Sequence, residues 1–178
     1  MPEDAEEILG VKSPTDTTQA PPPLPPAKDS PLYGYGGWLA FFCIVQIFVA
    51  PLFALITGAI SLSQVGEVSD RYPSLLALTF VELIGDIGVV IFGVVAGLKL
   101  RRLQPGAVRL AKGYLITRLV WAVLTLGLPA MGGDLPSQVT EAMMAEAVKG
   151  LVQTIFAFAI WFSYFNVSKR IKATFPEG

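Results

Sequence analysis

The sequence predicts an all-α integral membrane protein, a four-helix bundle preceded by a disordered proline-rich tail. Three observations carry this. The 178 residues are 53% hydrophobic with a mean hydropathy of +0.58, more apolar than a soluble domain that must cover its surface with polar groups. Four apolar runs each reach the about 20 residues that a helix needs to cross a bilayer core. Ahead of them lies "APPPLPPAKDSP", which favours polyproline II and offers too little apolar surface to fold.

Residues 1–36 form the expected tail, read as a cytoplasmic spacer in preference to a docking motif. Glu3, Asp4, Glu6 and Glu7 stand where a secretory signal needs positive charge, so no signal peptide is expected. Span one covers about 37–62, with no charge between Asp29 and Glu67. Pro51 falls inside it and should kink it, because proline removes a backbone donor. Span two covers about 74–98 and contains Glu82 and Asp86. Span three covers about 109–130 and contains Arg118; span four covers about 149–168 without internal charge. Spans of this length must be helical, since lipid offers the backbone no hydrogen-bond partners. A basic tail, 169–178, follows. The loop "GGDLPSQVTEAMMAEAVKG" repeats Val139, Met143, Ala147 and Leu151 every four residues, which predicts an amphipathic helix leading into span four with a joint at Gly150.

Lysine and arginine set the orientation. Lys99, Arg101, Arg102, Arg109 and Lys112 lie between spans two and three, and Lys169, Arg170 and Lys172 in the C-terminal tail. The other two loops carry Arg71 and Lys149. Both termini are therefore expected in the cytoplasm. Tyr33, Tyr35 and Trp38 at one end, and Trp161, Tyr164 and Phe165 at the other, read as interface anchors.

Composition excludes some chemistry. The chain has no His and one Cys, Cys43, so an internal disulfide and a His/Cys metal site are ruled out. A net charge of −1 gives no field to recruit nucleic acid. No nucleophile–base pair or phosphate loop is evident. The expectation is a non-enzymatic protein without cofactor or metal.

Helical spacing puts Thr79, Glu82, Asp86, Gly93 and Gly97 on one face of span two. Small residues four apart let membrane helices approach closely, so Gly93 and Gly97 should turn this face, with its carboxylates, into the bundle. Similar polar or small stripes run along span one (Cys43, Gln46, Ala50, Thr57, Ser61), span three (Tyr114, Arg118, Ala122, Thr125) and span four (Gln153, Ala157, Tyr164, Ser168). At 1.5 Å per residue, Arg118 lies about 12 Å and Asp86 about 18 Å from their shared loop, within reach of an arginine side chain. Arg118 is thus the expected partner of Asp86, and Glu82 the carboxylate left unpaired. Either a structural ion pair or an ion or proton relay would account for these three residues.

"YGGWLAFFCIVQIFVAPL" (35–52) and "WFSYFNVSKRIKATF" (161–175) resemble the bacterial membrane proteins grouped as domain of unknown function 2569. Gly36, Gly37, Trp38, Leu39, Pro51 and Leu52 carry the likeness at the first end. At the other it rests on Trp161, Tyr164, Phe165, Ser168, Lys169, Arg170, Lys172, Thr174 and Phe175. The resemblance implies an uncharacterised four-pass protein of the bacterial cytoplasmic membrane and supplies no activity or ligand. Three functions stay open: a binding or structural partner of another membrane protein, a small carrier using Glu82, Asp86 and Arg118, and a binder of anionic lipid through Arg118 or Lys169, Arg170 and Lys172. The oligomeric state is left open too.

Overall fold

A computed structural model describes residue 34 and residues 36–133 and 135–175. The proline-rich tail, Tyr33 and Tyr35 lie outside them. Four helices long and apolar enough to cross a membrane run up and down: α1 Trp38–Gly66, α2 Pro73–Arg101, α3 Ala107–Met131 and α4 Ser137–Val167. A short helix, α5 Lys169–Thr174, follows. The described residues form no strand.

Helix α1 passes its proline by widening. Val45–Val49 is a π-helical turn, in which the Ala50 N–H reaches back five residues to the Val45 carbonyl. Pro51 has no N–H, and its ring would crowd the carbonyl four residues earlier, so a wider turn just before it relieves both problems. The helix then continues to Gly66. The expected kink is thus a local change of helix type.

Pro73 opens α2 at a position where its missing donor costs nothing. Leu103 closes it in the left-handed region, φ 51°, with the Gln104 N–H bonded to the Lys99 carbonyl. That conformation usually falls to glycine, but the leucine side chain packs against the core. Gly106, φ 72°, completes the turn into α3. At its far end α3 tightens into two 3₁₀ turns, the second begun by Pro129.

Helix α4 is 31 residues without interruption, so the amphipathic segment and the fourth span are one helix and Gly150 is no joint. Ser168, in extended conformation, separates α4 from α5 and accepts the Ile171 N–H on its Oγ at 3.5 Å.

The core gathers at the end of the bundle that holds the chain's described termini and the α2–α3 turn, called here the basic end. Leu39, Phe42 and Cys43 of α1, Leu100 of α2, Val108 of α3, Phe165 of α4 and Ile171 of α5 are buried there in one cluster. The two aromatic ends meet in it: Trp38 and Trp161 have ring centroids 6.0 Å apart, Phe42 and Trp161 4.8 Å, and Trp161 and Tyr164 5.9 Å. The chain also ties back across this end. The Gly34 N–H donates to Thr174 Oγ1 at 3.3 Å, and Gly36 leaves room for the Arg170 guanidinium, 3.1 Å from where a Cβ would stand.

Gly93 and Gly97 are buried, and they serve packing inside the chain. A Cβ on Gly93 would meet Gln46 Oε1 and the Tyr114 ring, each at 2.9 Å, and one on Gly97 would meet Ile47 at 3.1 Å. The π turn of α1 therefore sits on the glycine face of α2. Beyond it, Ala50–Gly66 packs against α2 and buries none of its residues.

Candidate functional site

That half of the molecule is open. A cleft of about 760 Å³ lies between α1, α2 and the first half of α4, bordered by Pro51, Thr57 and Ser61, by Thr79, Glu82 and Asp86, and by Glu146. It is centred around the middle of α2, since Asp86 stands thirteen positions from Pro73 in a helix of 29 residues.

The polar groups of the cleft are mostly acceptors. Thr57 Oγ1 donates to the Phe53 carbonyl at 2.9 Å, and Thr79 Oγ1 to the Leu75 carbonyl at 2.9 Å. Both hydroxyl protons are thus spent within their own helices. Glu146 is held by Lys149 at 3.1 Å, the single ion pair among the described residues. Glu82 has no hydrogen bond or ion pair among them.

Asp86 is compensated by an indole. Trp121 Nε1–H of α3 donates to Asp86 Oδ1 at 2.7 Å, a short hydrogen bond. Gly85 makes this possible, because a Cβ there would overlap the Trp121 ring. The pair Gly85-Asp86 is therefore a socket: one residue admits the ring and the next accepts its N–H.

The expected Arg118–Asp86 ion pair is not formed. Arg118 Nη1 donates instead to the Tyr114 hydroxyl, one turn back on its own helix, at 3.1 Å. Tyr114 is buried, with its ring edge-on to Phe92 at 6.0 Å. The cause is register. Asp86 and Trp121 lie equally far from the centre of the α2–α3 turn, as do Gly93 and Tyr114, whereas Arg118 is three residues nearer the turn than Asp86's level. In an antiparallel pair, side chains at equal distance from the turn meet first.

Trp121 and Gly85 were not singled out in the sequence. The signal was present in that symmetry, with a donor at the level of the carboxylate and a glycine beside it. Gln46 and Tyr114, known only as members of stripes, meet at Gly93, and the buried Gln46 Oε1 has no hydrogen-bond partner among the described residues. Lys169 and Lys172 stand exposed on α5, away from the cleft.

Four apolar helices and an exposed apolar surface that includes Phe53, Ile84 and Phe156 define a multi-pass helical membrane protein; Glu82 and Asp86, expected to turn into the bundle with Gly93 and Gly97, stand exposed in the open cleft instead. More narrowly, the chain belongs to the family described as "Protein of unknown function (DUF2569)", matched over residues 33–176. No curated protein and no solved structure matches it.

Proposed function

We propose that this chain is a non-enzymatic binding protein of the bacterial cytoplasmic membrane, with both termini in the cytoplasm, and that its cleft receives a transmembrane helix of another protein. One observation carries the reading: the half of α1 beside the cleft packs mainly on α2 and buries none of its residues, and the two carboxylates there have no cation within salt-bridge distance among the described residues. Carboxylates in hydrocarbon call for donors or a cation, and Trp121 supplies one donor, to Asp86, and none to Glu82. The cleft walls offer acceptors, so the partner helix is one with Lys, Arg or a hydrogen-bond donor at mid-depth.

The test uses synthetic polyleucine transmembrane helices, each carrying Lys, Leu or Glu at its centre. Energy transfer between helix and full-length protein in bilayers should be strong for Lys alone, and lost with Glu82→Gln plus Asp86→Asn. Equal transfer for Lys and Leu would end this reading.

The cleft volume favours a second reading, a small carrier, because about 300–1,000 Å³ is the usual size of a small-molecule site. Its marker is flux of tetraphenylphosphonium into proteoliposomes, abolished by Glu82→Gln. A lipid-binding role at the cleft is less favoured, because its carboxylates would repel an anionic headgroup.

A further inference from the structure

The basic end carries a second, oppositely charged feature that the cleft does not use. Arg101 and Arg102 close α2, Arg109 lies in the first turn of α3, and Lys169 and Lys172 lie on α5; all five are exposed. None of α3, α5 or the turn before α3 contains an Asp or Glu. Among the described residues these cations have no ion-pair partner, since the one ion pair lies on the far half of α4. Helix α5 lies across this end, because Ile171 and Phe175 are buried in the cluster with Leu100 and Val108. Its lysines therefore sit on the cap of the bundle.

The chain supplies a matching anion. Glu3, Asp4, Glu6 and Glu7 fall within five consecutive residues that contain no Lys or Arg. Residue 34 is tied to Thr174 of α5, so the chain enters the described structure beside the basic face. Residues 8–33 join the two, and at up to about 3.5 Å per residue they can reach any point of the face. Tethering of this kind gives an effective concentration in the millimolar range.

We infer that the acidic segment Glu3–Glu7 docks on the basic face formed by α5 and the α2–α3 turn of its own chain. The contact is a set of exposed ion pairs, individually weak and jointly sensitive to salt. It also competes with anionic lipid for the same lysines and arginines, since each basic residue near such a surface is attracted to it.

Two measurements on the full-length protein in phosphatidylcholine nanodiscs test this. The first is zero-length carbodiimide cross-linking of the unmodified chain, read by mass spectrometry. Links from Lys169 or Lys172 to Glu3, Asp4, Glu6 or Glu7 are expected at 50 mM salt and should vanish at 0.5 M. The second is a spin-label distance between Ala5→Cys and Gln104→Cys, with Cys43→Ala to remove the native thiol. A short-distance population is expected. It should fall about tenfold when the four acids are changed to Gln or Asn, the combined effect of four weak exposed pairs.

Absence of those cross-links at low salt, or distances unchanged by neutralising the acids, overturns the inference. So does native mass spectrometry in phosphatidylglycerol nanodiscs, if the wild type and the neutralised variant retain equal amounts of anionic lipid. That outcome would give the face to headgroups.

Discussion

The two halves of α1 share one helix and similar composition, yet Leu39, Phe42 and Cys43 are wholly buried in the first and nothing is buried in the second. The difference lies in what the neighbours present. Beside the first half α2 offers Gly93, Ala96 and Gly97, and α4 reaches across with Trp161 and Phe165. Beside the second, α2 offers Glu82 and Asp86. Lipid removes any general drive for apolar helices to associate, so contact depends on close fit and on polar pairing. Small residues supply fit at the basic end. At the cleft, carboxylates stand in their place.

Breaking the packed half should cost most. Phe42→Ala empties a site between Trp161 and Phe165 and should lower stability by about 3 kcal/mol, measured by steric trapping in bicelles. Phe53→Ala, on the outward face of the other half, should change it by under about 0.5 kcal/mol. Equal effects would mean that the halves do not differ. Gly93→Leu should cost about 2 kcal/mol by overpacking against Gln46 and Tyr114. Gly88→Leu, with open space around it, should show no such loss in the same assay.

The socket sharpens the comparison at the level of one bond. Trp121→Phe keeps an aromatic side chain and removes the donor, leaving Asp86 uncompensated, at about 1–3 kcal/mol. Adding Asp86→Leu should recover most of that loss, because removing both partners is far cheaper than removing one. A double-mutant cycle without coupling would show that the indole and the carboxylate are merely adjacent. One change should be a gain. Gly150→Ala lies within a continuous helix with open space around it, and should stabilise by about 0.5–1 kcal/mol. A loss there would reinstate the joint expected from sequence.

Much of the fold was legible in the sequence because it follows from local rules. Run length located the four spans, and the spacing of Gly93 and Gly97 located the tight face of α2. The partner of Asp86 was not legible in the same way. Helical periodicity fixes the face of a side chain, while partnership across helices also requires level. The expectation ranked opposite charge above level and chose Arg118, which finds its acceptor one turn away on its own helix. Counting outward from the α2–α3 turn would have led to Trp121. The cleft was less legible still, since a gap between helices leaves no mark on the periodicity of any one of them.

The length of α4 has a mechanical consequence. Thirty-one helical residues extend about 46 Å, against a hydrocarbon core of about 30 Å. The surplus is the charged first part of the helix, with Glu141, Glu146 and Lys149, while the uncharged residues 150–167 extend about 27 Å, so it is not a hydrophobic mismatch to be relieved by tilt. Glu146, the α4 border of the cleft, stands in the first third of this helix, and Trp161 and Phe165 of the packed end stand in its last third. One unbroken rod thus carries both, with no joint that would let the cleft border move alone.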